Sequence, residues 1–253
     1  MSKIGLEFVF KTETVNKIAL LRNVLRLMRQ DGMPLDSLET RYGHIDSATY
    51  MSLVEKEGDW VYGFETPDIE IINGESGGFD LYKLIAIEKT IEKVITPSNW
   101  AQYFTSEQGF STCRVFDADF DFWQNTTDPI EYQKSGRSYE KNELISNSLP
   151  YPLEDKIVDI SKNPGVRIFR KGYIEAIGFE MWLSDCFFNA IEGYSTKRLQ
   201  AAGWSVQQCT NGVIHLSVKP IELSDHGDIE KQRALRAALF GGCLLFTSPS
   251  PRD

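Results

Sequence analysis

The chain has 253 residues, 42% hydrophobic, 25% charged and 12% aromatic, fractions of an ordinary globular protein that exclude collagen-like, low-complexity and disulfide-scaffold chains. Its 36 acidic and 27 basic side chains give a net charge of −9. That balance argues against non-specific binding to nucleic acid or anionic membrane, which reward a basic surface, and leaves room for a basic protein partner or for solubility alone.

In chain order, Ile4, Leu6, Phe8 and Phe10 alternate with Gly5, Glu7 and Val9, the pattern of a strand. Thr12 or Thr14 opens a helix to about Gln30, stopped by Asp31-Gly32; Ile18, Leu21, Leu25 and Met28 form its apolar stripe. Residues 37–45 and 60–66 read as strands. Residues 81–95 fit helix spacing and strand alternation equally well, and periodicity alone does not arbitrate. Residues 115–123 read as a strand, with Phe116, Phe120 and Phe122 on one face and Asp117, Asp119 and Asp121 on the other. Residues 125–165 are polar and rich in Pro, Ser, Asn and Tyr, the composition of a linker or mobile loop. Residues 173–183 alternate again, a helix from Ser184 or Asp185 reaches Ala202 and Gly203, and two strands flank the hairpin signal Asn211-Gly212. Residues 228–240 read as a final helix.

Ile4-Gly5-Leu6-Glu7-Phe8 resembles Ile177-Gly178-Phe179-Glu180-Met181, and each strand precedes a helix that ends in glycine. The match reads as a duplicated β-α-β-β unit or as coincidence over a handful of positions. The expected fold is α+β: an antiparallel or mixed sheet with helices packed on one face. The expected division is a first half at 1–124, the 125–165 segment, a second half at 166–242, and a tail at 243–253. That tail, Cys-Leu-Leu-Phe-Thr-Ser-Pro-Ser-Pro-Arg-Asp, resembles the peptide encoded by a sequencing adapter and is set aside as non-native.

No window reaches the roughly 18 apolar residues of a membrane span, and no secretory signal is evident, so a cytoplasmic protein is expected. Cys113, Cys186, Cys209 and Cys243 show no CxxC spacing, which fits reduced thiols. His44, His215 and His226 make no HxxxH or HExxH pattern, and no cofactor is implied. Asn73 to Gly78 is Gly-rich but lacks the Gly-Lys-Ser/Thr of a phosphate loop.

Asp117, Asp119 and Asp121 are the foremost candidates. On one strand face they stand at steps of about 6–7 Å, a surface for a basic partner, or a weak metal site if other elements supply ligands. A solvated sheet face is the ordinary alternative. Glu7 and Glu180, on the face away from the helices, could do acid–base work only if they approach each other. Arg22, Arg26 and Arg29 share a helix side and could meet an anion or pair with local acids. Cys186 sits at a helix start beside Phe187 and Phe188, as a buried or an activated thiol. The leading expectation is a non-enzymatic protein-binding protein, immunity- or antitoxin-like in one version. The alternative is a metal-dependent hydrolase using the Asp117/Asp119/Asp121 face.

Overall fold

A computed structural model describes residues 3–90, 94–139, 143–191, 195–218 and 229–241. The fold is α+β. Ten strands form one antiparallel sheet in the order β13-β14-β12-β7-β1-β6-β5-β4-β2-β3. These are β1 (Ile4–Lys11), β2 (Leu38–Thr40), β3 (Gly43–Ile45), β4 (Phe64–Glu65), β5 (Ile69–Ser76), β6 (Leu81–Glu88), β7 (Phe110–Asp117), β12 (Glu180–Leu183), β13 (Ser205–Gln208) and β14 (Ile214–Ser217). Two small hairpins stand apart, β8 (Leu144–Ser146) with β9 (Lys156–Val158), and β10 (Ile168–Arg170) with β11 (Tyr173–Glu175). The ambiguity at 81–95 resolves at its start into β6 and, beyond residues 91–93, is followed by α3 (Pro97–Phe104).

β1 is the centre of the sheet and is buried from Gly5 to Phe10. Helices lie on both faces of the sheet, while the second face of β1 itself is covered at Val9 by Ile174 and Ala176 of the β10–β11 region. On one face, Leu6, Phe8 and Phe10 pack with Leu20, Leu21, Val24 and Met28 of α1 (Lys17–Gln30) and with Trp100 and Phe104 of α3. The Phe104 ring lies 4.7 Å from that of Phe8. On the other face, Met181, Leu183 and Leu216 pack with Phe187 of α6 (Asp185–Phe188), Leu199 of α7 (Thr196–Ala202) and Leu235 of α8 (Ile229–Phe240). The expected single helical layer is therefore two layers. Strand alternation demands the second, because it would otherwise leave Met181, Leu183 and Leu216 in water.

Local chemistry sets most boundaries. Asn16, not Thr12 or Thr14, caps α1 by accepting from Ala19 N, and Gly32 leaves it at φ +77°. Asn211 and Gly212 take φ of 61° and 75°, as the hairpin signal requires. The helix expected at 184–202 is broken into α6 and α7. The strand expected at 173–183 is likewise broken into β11 and β12. The 125–165 segment carries α5 (Pro129–Ser135) and the β8–β9 hairpin. His226 and residues 243–253 lie outside the described residues, and no described helix is long and apolar enough to cross a membrane.

The proposed repeat does not extend to topology. β12 pairs β14, and β14 pairs β13, whereas β1 pairs neither β2 nor β3, which close the far edge of the sheet. The two glycines that drew the match have separate reasons. A Cβ on Gly5 would fall 2.3 Å from the Phe116 ring, and one on Gly178 would fall 2.3 Å from Val115 O. Alanine at 178 must push the chain off β7 and strain the Phe179 N to Val115 O bond of 2.8 Å. Gly178→Ala is therefore expected to cost about 1–3 kcal/mol, read as a lower urea midpoint.

Candidate functional site

The aspartates do not share a strand face. β7 ends at Asp117, and α4 (Ala118–Asn125) follows without a break. The Asp117 carboxylate accepts from Phe120 N at 2.8 Å and caps α4, so helix spacing replaces alternation from this residue onward. Asp119 is exposed in the first turn, where the helix dipole favours it. Asp121 is buried. Of the phenylalanines expected inward, Phe116 is buried, Phe120 partly so, and Phe122 is exposed.

Asp121 is buried because it meets Arg114 of β7. Arg114 Nη1 donates to Asp121 Oδ1 at 2.8 Å, and its Nε donates to Glu7 Oε2 of β1 at 2.6 Å. Glu7 and Arg114 face each other directly across the β1–β7 pair. Phe116, two residues along the same face, lays its ring 4.3 Å from the guanidinium carbon, in the space that Gly5 leaves open. Arg167 approaches from the lead-in to β10, its Nη1 3.6 Å from Glu7 and its Nη2 3.7 Å from Asp121. Three elements and one loop thus converge on a guanidinium that sequence reading did not single out. The available signal was an arginine inside the strand run Ser111-Thr112-Cys113-Arg114-Val115-Phe116.

Burial works to raise the Glu7 pKa. The charges of Arg114 and Arg167, the Arg114 hydrogen bond and Lys83 outweigh it and hold the carboxyl below its ordinary 4.5. Arg114 is likewise held charged: burial opposes its charge, and Glu7 and Asp121 overcome that cost. Burial pushes the Cys113 thiol well up, leaving an inert core thiol.

The other sequence candidates separate. Glu180 faces Val115 across β7 and β12, whereas Glu7 faces Arg114, so the two carboxylates lie on opposite faces of the sheet. Glu180 bonds His215 at 3.1 Å, and the His215 ring stacks on Trp182 at 4.5 Å. Arg22 pairs with Glu55, and Arg26 lies over Tyr103. Cys186 is half-buried and lines a cavity of about 300 Å³ with Lys11, Asp80 and Lys171. Residues 73–76 belong to β5, and residues 77–79 form the turn to β6. His44 lies on β3. No group of three His, Cys, Asp or Glu side chains able to hold a metal ion occurs among the described residues. Asp117, Asp119 and Asp121 in particular do not converge on a common point, since one caps a helix, one faces solvent and one is bonded to Arg114.

The second notable surface follows directly after Asp121. Phe122, Ile130, Ile145, Leu149, Tyr151 and Leu153 are six of the eleven exposed large apolar side chains among the described residues. They fall within 32 consecutive positions of the sequence. Asn147 organises the tip of the β8–β9 hairpin. Its Oδ1 accepts from Leu149 N at 3.1 Å and Asp155 N at 3.2 Å, and its Nδ2 donates to Leu153 O at 2.9 Å. Behind the tip, Trp123 stacks edge-on with Tyr132 at 5.3 Å, and Arg137 lies over Trp123 at 4.3 Å. Residues 117–159 hold ten carboxylates against four basic side chains, so this stretch carries most of the chain's net negative charge.

Comparison with protein-family models, curated proteins and solved structures found no match.

Arg114→Met would leave Glu7 and Asp121 buried without their shared cation, and is expected to destabilise the fold by about 3–5 kcal/mol in equilibrium denaturation. The acid limb of stability should also report Glu7. Its folded pKa lies below its unfolded one, so its contribution is present above the unfolded pKa and is lost as pH falls through the folded pKa. Wild type is expected to lose stability below about pH 4.5, and Glu7→Gln, weaker at neutral pH, to fall less steeply in acid.

Proposed function

We propose that this is a non-enzymatic protein-binding protein that engages a basic partner through residues 122–159. The observation that carries the reading is the exposure of Leu149, Tyr151 and Leu153 together in the β8–β9 connection, whose two ends Asn147 ties to each other, within an acidic stretch of sequence. Tyr151 is 91% exposed and Leu153 65% exposed, and both can be buried only by another molecule. Glu143, Glu154, Asp155 and Asp159 flank them, with Asp119 at the border. An apolar centre with a charged rim is the usual build of a specific interface: the centre supplies affinity, and the rim supplies encounter rate and partner choice. A tip already held by hydrogen bonds loses little conformational entropy on docking.

An immunity- or antitoxin-like role, in which an acidic chain covers a basic effector, is one form of this reading. Cytoplasmic residence goes with it, supported by free Cys113, Cys186 and Cys209. The metal-dependent hydrolase reading would need the three aspartates to converge on a cation, and their placement gives it no support.

The test is quantitative affinity capture with the full chain and with the triple variant Leu149→Ser, Tyr151→Ser, Leu153→Ser. Its circular dichroism should match wild type, because these side chains lie outside the packed core. The expected result is a basic protein retained by wild type, released by rising salt, and retained at least about tenfold less by the variant. An identical set of proteins on both chains, at equal yields, would refute the reading.

A further inference from the structure

β13 is a free edge of the ten-stranded sheet, and Ser205, Gln207 and Gln208 are exposed along it. Cys209 N donates to Val213 O at 2.8 Å, in register with the β13–β14 pair. That bond fixes the phase of the ladder, because hydrogen-bonded and non-hydrogen-bonded pairs alternate in antiparallel strands. Ser205 and Gln207 therefore turn their backbone groups to β14. Val206 and Gln208 turn theirs outward, N–H donors and carbonyl acceptors with no partner among the described residues. The next ladder agrees with this phase: Val218 N donates to Phe179 O at 3.0 Å, so β14 meets β12 through its alternate residues. Proteins usually blunt such an edge with charge or proline. β13 has neither. Residues 199–218 contain no Asp, Glu, Lys or Arg, in a chain of which 25% is charged. The opposite edge strand, β3, is shorter and is flanked by Arg41 and Asp46.

We propose that two copies of this chain associate edge to edge through β13, continuing the sheet across a two-fold axis. With the axis at Gln207, Val206 of each copy stands opposite Gln208 of the other, and the outward donors of each copy meet the outward acceptors of the other. Gln207 then faces Gln207 of the second copy in a non-hydrogen-bonded position, where side chains stand closest. A chain of net charge −9 repels its own kind over most of its surface. The uncharged hairpin is where two copies approach without like charge meeting like charge. It also offers no carboxylate to a basic partner, which separates this contact from the one proposed for residues 122–159. Main-chain pairing at a sheet edge is an established mode of association between chains. The strand is short and the interface small, so the dimer forms at high protein concentration.

The test is sedimentation equilibrium of the full chain from about 10 µM to about 1 mM, the range in which weak interfaces assemble. Wild type is expected to pass from monomer towards dimer across this range. Gln207→Lys and Gln207→Glu each set like charges opposite one another at the axis, and each should raise the dimer dissociation constant about fivefold or more. Gln207 is exposed, so both variants should keep the circular dichroism of wild type. Gln207→Lys also lowers the net negative charge, so weaker association of that variant cannot come from general repulsion. An equimolar mixture of the two variants should restore the dimer, because opposite charges then face each other across the axis. Wild type that stays monomeric throughout, a Gln207→Lys variant that dimerises like wild type, or a mixture no more dimeric than either variant alone would each overturn the proposal.

Discussion

A guanidinium buried between two carboxylates fixes the centre of this molecule. Arg114 sits in a strand with covered faces, so it must find its counter-ions from neighbouring elements or not be buried at all. β1 supplies Glu7 through direct cross-strand pairing, and α4 supplies Asp121 one turn after its cap. The second requirement is the more restrictive. For Asp121 to reach back to Arg114, the chain must leave β7 and enter a helix at once, and the Asp117 cap does this. A longer β7, or a loop before α4, would leave Arg114 with half its compensation. The register of β1 on β7 and the abrupt strand-to-helix switch are thus two consequences of one buried charge.

Sequence reading recovered elements whose signals are local and unopposed. The stripe of α1, the Asn-Gly turn between β13 and β14, and the final helix all appear where expected, within a few residues. It failed at residues 117–123 because two local signals conflict there. Alternating Asp and Phe satisfies a strand, while an Asp followed by acids in the next turn satisfies a helix start. Arg114, seven residues earlier, decides between them, and that pairing is invisible to a short window. The split into β11 and β12, and into α6 and α7, was missed because an apolar run does not reveal where a chain breaks to cross a sheet.

The Gly-x-Glu resemblance between the two ends of the chain has a topological account that needs no duplication. β1 and β12 are the two neighbours of β7, and both run antiparallel to it. Each therefore meets β7 with a glycine where that strand presents bulk, the Phe116 ring on one side and the Val115 carbonyl on the other. Beyond the glycine the likeness ends. Glu7 turns to the buried cluster and Glu180 to the opposite face, so equal sequence parity does not give equal environments. Shared neighbours can produce a shared motif as readily as shared ancestry.

The distribution of charge separates the buried cluster from the exposed surface. Around Arg114, the two carboxylates Glu7 and Asp121 share the cations Arg114 and Arg167, so their charge is met by opposite charge. Most of the chain's net negative charge falls in residues 117–159, where, Asp121 apart, exposed acids such as Asp119, Glu154 and Asp155 are screened by water and salt. The six exposed apolar side chains occupy the same stretch, which has its own aromatic stack and packs on the second core through Phe120. A surface so arranged can change its apolar tip or its acidic rim without disturbing the cluster that sets the sheet. Substitution of Leu149, Tyr151 or Leu153 leaves that cluster in place, because none of them is among the groups that compensate Arg114.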